Sequence, residues 1–360
     1  MKLLSRRQDV QIRALLEPNT ERGAALLKDL GLNNTALAQD FHQLLGDPSI
    51  HAIWLVSPNS FHGPQSIAAL KAGKHVFCEK PCSTSFADFR KQIGMQRRNP
   101  QLISYVDYIL FFDTLEQRLR RMVAENTFGT ISQIQVNYRH PVNIVGDKAW
   151  KLQKQIMGDA IGMGINHALS VMLLAMQSQG KPIEVYATSQ QAKVRGFEAD
   201  PVWNILIRFD SGATGFCFGN IDNGNGYDAY HNLYGTDGAF VFDSGLDRPQ
   251  KVRYWSARDT NGKWIYPLDA ERCEREGARD LAWPADSTTP DSGDVINHQI
   301  GSAVEHFLQC VRTGTPSPLS FTNSAIVAET GWAARLSAST GKPVALPLSA
   351  QSMDALMSLS

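Results

Sequence analysis

The chain has 360 residues, 43% of them hydrophobic and 19% charged, the composition of an ordinary soluble globular protein long enough for two domains. Lys plus Arg and Asp plus Glu number 35 each, so no bulk field draws it to nucleic acid or an anionic membrane. No apolar run reaches the roughly 18 residues of a membrane span.

The first third alternates short apolar runs with amphipathic stretches, an α/β pattern. Val10 to Leu16 reads as a strand ended by Glu17-Pro18-Asn19. Thr20 is suited to cap a helix that runs to Leu30 and stops at Gly31, and a second helix is expected over Leu37 to Leu45. His51 to Val56 is apolar on both faces, as a central parallel strand is, and Ser57-Pro58-Asn59 breaks it. Pro64 suits a first helical position, with Ala72-Gly73 as the end of that helix. Lys74 to Cys78 is the next strand, and Ser85 to Asp88 opens another helix as a capping box.

After about residue 125 the pattern changes. Ile131–Tyr138, Ile183–Ser189, Trp203–Phe209, Gly212–Gly219, His231–Leu233, Ala239–Phe242 and Lys251–Trp255 are short strand candidates separated by turn residues. The turn cluster Asp222-Asn223-Gly224-Asn225-Gly226 lies among them. Ala160 to Gln177 reads as a helix, as do His298 to Thr313 and Asn323 to Ser339. Trp203, Trp255 and Trp264 read as core or interface aromatics, and no repeat or low-complexity tract is present. The expected fold is a Rossmann-like parallel α/β domain over residues 1–124, followed by an α+β domain with a mostly antiparallel open sheet over residues 125–360.

The basic N-terminus, Met1 to Arg7, is followed by no apolar signal stretch. The five cysteines, at 78, 82, 217, 273 and 310, include one close pair and read as reduced thiols rather than a metal set, so a cytoplasmic location and no metal are expected.

Ligands of a doubly wound sheet sit at the carboxyl ends of its strands. Three such ends carry polar groups: Glu17, Ser57-Pro58-Asn59 and Cys78-Glu79-Lys80-Pro81. A carboxylate such as Glu17 can accept two hydrogen bonds from a ribose 2′,3′-diol and repels a 2′-phosphate, which favours NAD over NADP. The alternative for Glu17 is a solvated turn residue. Lys80 can bind a substrate hydroxyl and stabilise alkoxide character as hydride leaves; its alternative is a surface lysine paired with Glu79.

The run Ser57-Pro58-Asn59-Ser60-Phe61-His62, then Ala69-Leu70-Lys71-Ala72-Gly73-Lys74-His75-Val76-Phe77-Cys78-Glu79-Lys80-Pro81, resembles the glucose–fructose oxidoreductase/inositol dehydrogenase (Gfo/Idh/MocA) family, whose pattern is T-P-N-x-x-H, A-G-K-H-V and E-K-P. Weaker likeness continues through Phe128-Gly129-Thr130-Ile131, Tyr234 to Phe240 and Phe307 to Pro318. The resemblance implies a nicotinamide-dependent oxidoreductase acting on a small sugar, polyol or related hydroxyl compound. It places Glu17, Pro58, Asn59, His62, Glu79 and Lys80 at the cofactor, and Lys80 against both substrate and nicotinamide. It also implies a homo-oligomer formed through the second sheet.

Two departures stand out. No Gly-x-Gly-x-x-Gly precedes Glu17, so the chain is expected to begin inside the first helix, without the first strand and phosphate turn; loss of tight dinucleotide binding is the alternative. The family's D-x-x-x-H motif falls on Gly158 to His167. One register matches His167 and puts Met163 in the acid's place; shifting by one puts Asn166 in the histidine's place and Gly162 in the acid's. Asp159 is an acid two turns from His167. His167 is the expected proton acceptor, with a structurally satisfied helix histidine as the alternative. Tyr108, Asn166 and His167 are the expected substrate-binding residues. Tyr105, Asp107, Lys148 and Trp150 are further pocket candidates. Three functions remain open: a dehydrogenase, a non-catalytic ligand- or dinucleotide-binding regulator, and an NAD-assisted glycosidase.

Overall fold

The parallel strands form two sheets rather than one in the computed structural model of the protein. The structure describes residues 1–191, 194–223, 228–243, 245–246, 249–284, 287 and 299–359. Residues 224–226 of the expected turn cluster and His298 lie outside these.

Helix α1 (Lys2–Ser5) sets Leu4 against Val304 and Leu308 of a late helix, and Val10 and Ile12 pack on the same cluster. The apolar run that suggested a strand from Val10 therefore serves two purposes. Only Ala14–Leu16 forms strand β1, paired in parallel with β2 (Ala36–Ala38). Between them α2 (Thr20–Asp29) is capped by Asn19, whose side chain accepts the Arg22 N–H, rather than by Thr20. The helix expected from Leu37 begins only at α3 (Phe41–Gly46), because Asp40 is extended and caps it through the His42 N–H.

The second parallel sheet is β3 (Ala52–Leu55), β4 (His75–Cys78) and β5 (Ser104–Val106), in the order β3-β4-β5. Helix α4 (Asn59–Lys71) starts five residues before Pro64, leaving that proline inside the helix, and Gly73 at φ 74° ends it. Helix α5 (Phe86–Arg98) is capped by Ser85 as expected. A stack of Trp54, Phe77 and Tyr105 covers this sheet, with centroids 5.3 and 4.6 Å apart.

Helix α6 (Thr114–Ala124), capped by Asp113, leads to β6 (Ile131–Arg139). The following segment holds α7 (Lys154–Met157), a π turn at Ile161–Ile165, and α8 (Asn166–Ala175). The remaining strands are β7 (Pro182–Gln190), β8 (Val202–Phe209), β9 (Thr214–Asn220), β10 (Asp228–Gly235), β11 (Gly238–Asp243), β12 (Val252–Ser256) and, late in the chain, β13 (Val344–Ala345). They form an eight-stranded sheet of order β12-β11-β10-β6-β9-β8-β7-β13, antiparallel except where β6 meets β9.

Alternating burial along β8 and β9 marks one covered and one open face. Helix α8 lies on β6 and β9; a Cβ at Gly219 of β9 would stand 2.3 Å from Ile165, so glycine is needed for this approach. Helix α9 (Ala270–Arg275) follows β12. Then α10 (Ile300–Thr313) returns to the parallel sheet, where Phe307 meets Trp54 at 4.8 Å, while α11 (Ala325–Thr340) packs on β7 and α12 (Ala350–Leu359) on α11. Trp203 is buried as expected, but Trp264 is at the surface under Arg253. Among the described residues no helix is long and apolar enough to cross a membrane.

Candidate active site

Strand β4 ends at Cys78, and the chain then turns through Glu79-Lys80-Pro81 at the carboxyl edge of the parallel sheet. The Lys80 ammonium crosses to the second half of the chain and donates to the Met163 carbonyl at 2.5 Å. That carbonyl belongs to the π turn Ile161–Ile165, a local widening of the helix of a kind frequent at functional sites. Gly162 lets the turn close on Pro81, since a Cβ there would stand 3.0 Å from the proline ring. Burial lowers the Lys80 pKa, and the charges of Glu79 and Asp107 oppose that shift.

Asn59 and His62 sit on the first turns of α4. Asn59 donates to the Met157 carbonyl at 2.8 Å, and its amide is 3.9 Å from the Met163 sulfur. His62 is buried, with its ring nitrogens 2.7 Å from the carbonyls of Pro81 and Ser57. It therefore ties two strand-end loops together and holds the rim from behind, rather than presenting a ring nitrogen to a ligand. Burial lowers its pKa, and the hydrogen bonds to the two carbonyls oppose that shift.

Glu17 ends β1. Its Oε1 accepts the Asn19 N–H at 2.9 Å and Arg22 at 2.8 Å. The Arg22 hydrogen bond holds its carboxyl below the usual range against an opposing burial effect. Arg22 also pairs with Asp147, so Glu17 is tied to the segment that carries Lys148 and Lys151. Lys151 is pushed down to about 8, by burial first and then by the charges of Lys80 and Lys148. Lys148 is exposed, and Trp150 lies 5.9 Å from the Lys151 ammonium.

Tyr108 and Asn166 line one small cavity behind Pro81, with Arg335 and Trp332 on its far wall. Its volume of about 20 Å³ holds a water and not a sugar. Asn166 donates to the Gly162 carbonyl at 3.0 Å, and its carbonyl oxygen is buried with no hydrogen-bond partner among the described residues. His167 is buried against Tyr138, with ring centroids 5.6 Å apart, on the first turn of α8. Met163 meets both sides of the rim, its sulfur 3.9 Å from the Asn59 amide and its carbonyl accepting from Lys80.

Asp159 is engaged elsewhere. It accepts the Gly162 N–H at 2.9 Å and pairs with Arg335, which stacks on Trp332 at 4.1 Å. Burial would raise its pKa, but Arg335 outweighs this and holds the carboxyl below its ordinary value. Sequence reasoning overlooked Lys151 and Arg335. It also gave no role to the pairing of Tyr105 with Asp107, whose carboxylate accepts the buried Tyr105 hydroxyl at 2.9 Å while its backbone N–H donates to the Cys78 carbonyl beside Glu79.

The donor set fits both ends of a nicotinamide dinucleotide. Glu17 ends β1 with a carboxylate, and Pro58, Asn59 and Lys80 follow the carboxyl ends of β3 and β4. Residues 1–13 provide no glycine-rich N–H cradle for the pyrophosphate; part of that segment is helix α1 on α10. A parallel α/β half with these groups on its rim, joined to an open sheet whose helices close over that rim, defines a nucleotide-dependent oxidoreductase architecture.

The comparisons give the family. Residues 1–106 match the Gfo/Idh/MocA oxidoreductase family's NAD-binding Rossmann fold and residues 117–241 match its C-terminal domain, together nearly two thirds of the chain. The chain belongs to the Gfo/Idh/MocA family and is an oxidoreductase with an NAD-binding domain. It is 24% identical over 263 residues to the 1,5-anhydro-D-fructose reductase of Ensifer adhaerens, covering 72% of this chain and 76% of that protein. It is 24% identical over 341 residues to the NAD(+)-dependent scyllo-inositol 2-dehydrogenase of Bacillus subtilis, covering 92% of this chain and 87% of that one. In fold it is similar to levoglucosan dehydrogenase in complex with NADH and levoglucosan, with a TM-score of 0.74 at 21% identity over 93% of this chain and 90% of that one.

Proposed function

We propose that the chain is an NAD-dependent dehydrogenase or reductase of a sugar, polyol or related hydroxyl compound, with Lys80 as the residue that binds the reacting oxygen. The observation that carries this reading is the Lys80 ammonium at the carboxyl end of β4, bonded across to the π turn at Met163. Bound NAD would supply the hydride acceptor. Lys80 exchanges the Met163 carbonyl for the substrate hydroxyl and stabilises negative charge on that oxygen as its C–H bond breaks. The hydroxyl proton passes to His167 or to a water. Glu17, Pro58, Asn59 and Glu79 complete the cofactor set, and His62 holds its two loops.

In this reading residues 1–124 form the dinucleotide half and residues 125–360 the substrate half, with α10 returning to the first. The relatives named for anhydro-sugars and inositols support cyclic polyhydroxy compounds as substrates. The open face of the eight-stranded sheet is the proposed surface of a homo-oligomer. Five cysteines without disulfides support a reducing, cytoplasmic compartment. NADP is the alternative cofactor, with Arg22 beside Glu17 as the group that would meet a 2′-phosphate.

The test is a panel of inositols, aldoses and anhydro-sugars with NAD, read by the appearance of reduced-nicotinamide absorbance. A second reading rests on Met163, which replaces an acid with a thioether: a regulator of the same fold that binds a ligand without turning it over. Dinucleotide binding with no absorbance change across the panel would favour it. Product formed without net reduced nicotinamide would instead favour redox-assisted glycoside cleavage.

A further inference from the structure

The edge of the parallel sheet away from Lys80 carries a cleft of about 270 Å³. Lys80 follows the end of β4, whereas this cleft lies beside the start of β5, which runs parallel to β4. Its walls are the last turn of α5 and the segment joining α10 to α11. That segment is fastened to β5: the Val106 N–H donates to the Leu319 carbonyl at 2.8 Å, and the Phe321 N–H to Ser104 Oγ at 3.0 Å. It is also fastened to itself. Asn323 Nδ2 donates to the Ser317 carbonyl at 2.8 Å, and the Asn323 N–H to Ser320 Oγ at 3.1 Å. Walls held in this way need little ordering when a ligand arrives.

Gln96, on the α5 wall, is 7% exposed. Its Nε2 donates to the Leu102 carbonyl at 2.8 Å and to the Asn99 carbonyl at 3.4 Å. Those acceptors fix which end of the amide is the nitrogen, and the buried Oε1 has no hydrogen-bond partner among the described residues. A buried acceptor left unpaired is costly, and a ligand hydroxyl would satisfy it. Arg97, the next residue, also lines the cleft; it is exposed and makes no ion pair among the described residues.

The chemistry of the lining selects the ligand. Arg97 is a fork-shaped donor suited to a carboxylate. The Ser320 and Thr322 hydroxyls, 3.2 Å apart, add neutral polar contacts, and Pro100 and Pro316 add apolar surface for the C–H face of a carbon chain. No Asp or Glu lines the cleft among the described residues, so a ligand ammonium would meet no counter-charge there. Hydroxyls are therefore the fitting donors toward Gln96. The volume suits a ligand of roughly a dozen non-hydrogen atoms.

We propose that this cleft binds a small polyhydroxy carboxylate, its carboxylate on Arg97 and a hydroxyl on Gln96 Oε1, at a site separate from the Lys80 rim. One exposed arginine in a half-open cleft gives an affinity of roughly millimolar order. The proposal does not depend on the dehydrogenase reading.

Hydrogen–deuterium exchange of the full chain, with sodium D-gluconate as the probe, tests it without turnover. At about 50 mM gluconate, peptides covering residues 92–104 and 316–324 should exchange several-fold more slowly. D-Glucitol keeps the hydroxyls without the carboxylate, and acetate keeps the carboxylate without the hydroxyls. Both should leave these peptides unchanged at the same concentration. Arg97→Glu, a surface substitution, should abolish the gluconate effect while thermal melting stays cooperative. Gln96→Leu should weaken gluconate about tenfold.

Unchanged exchange in both segments overturns the proposal. So does equal protection by glucitol or acetate, or protection that survives Arg97→Glu. Protection confined to peptides around Lys80 places gluconate on the rim and overturns it as well. Should Gln96→Leu fail to fold, the exposed Arg97 variant decides alone.

Discussion

The Lys80 ammonium donates to the Met163 carbonyl at 2.5 Å, joining the end of a parallel strand to a π turn in the second half of the chain. One backbone carbonyl is a weak partner for an enclosed ammonium, and an oxygen that gains negative charge during reaction is a better one. Lys80→Met keeps the stem and removes the charge. Turnover is expected to fall about 10²- to 10³-fold, the scale for losing one preorganised donor, while cooperative melting is retained. Steady-state kinetics on any active substrate from the panel checks this. Unchanged turnover would remove Lys80 from the chemistry.

Glu17 is the second group with a direct consequence. Its Oε1 is shared between the Asn19 N–H and Arg22. Glu17→Ala removes a charged acceptor for a ribose diol, about 1.5–3 kcal/mol, or roughly ten- to a hundredfold in NAD affinity. It also frees Arg22 from one of its two carboxylate partners toward a 2′-phosphate, so the preference for NAD over NADP should narrow. Calorimetric titration of both dinucleotides measures the two effects, and equal NAD affinity in the variant and wild type would show that the ribose lies elsewhere.

Asp159 and Arg335 lock the start of the π turn. Arg335→Met leaves the Asp159 carboxylate enclosed without its counter-charge, at a cost of about 3–5 kcal/mol. The sign with pH is specific. In the wild type the Asp159 carboxyl is held below 3.8, so its contribution is present above that value and lost as pH falls through the lower folded one. Without Arg335, burial pushes the carboxyl up, and stability should decline as pH rises instead. Urea denaturation of both proteins across the acid-to-neutral range checks the reversal; parallel curves would exclude it.

The sequence was most readable where local chemistry decides. Apolar strands broken by Ser57-Pro58-Asn59 and by Glu79-Lys80-Pro81 showed where the rim lies, and Ser85 caps the helix it was expected to cap. Boundaries set by distant partners were not readable. Val10 and Ile12 are apolar because they meet Leu4, Val304 and Leu308, which a strand pattern does not reveal. Ala36–Ala38 is too short for its period to distinguish strand from helix, and only pairing with β1 makes it a strand. Helix α6 was overlooked although Asp113 and the spacing of Leu115, Leu119 and Val123 announce it. At the site, Lys80 and Glu17 were visible as side chains. The partner of Lys80 is a backbone carbonyl and carries no side-chain signal, and the Asp107 N–H that bonds to the Cys78 carbonyl joins neighbouring strand ends.

Glu116 of α6 and His231 of β10 fasten the helix layer to the eight-stranded sheet. His231 Nε2 and Glu116 Oε1 are 2.6 Å apart, and the two side chains are 3% and 1% exposed. Burial alone would lower the histidine pKa, but the Glu116 charge and hydrogen bond outweigh it and raise it above 6.5. A raised folded pKa contributes stability that is fully present below the unfolded value, near 6.5, and is lost as pH rises through the folded one. Wild-type stability should therefore carry a downward component above about pH 6.5 that Glu116→Gln lacks. The variant should be destabilised by about 1–3 kcal/mol near pH 6, and the difference should shrink as His231 deprotonates in the wild type. Urea melts at pH values on both sides of that window measure the difference directly. A Glu116→Gln cost that stays constant with pH would mean the pair is a neutral hydrogen bond at all of them.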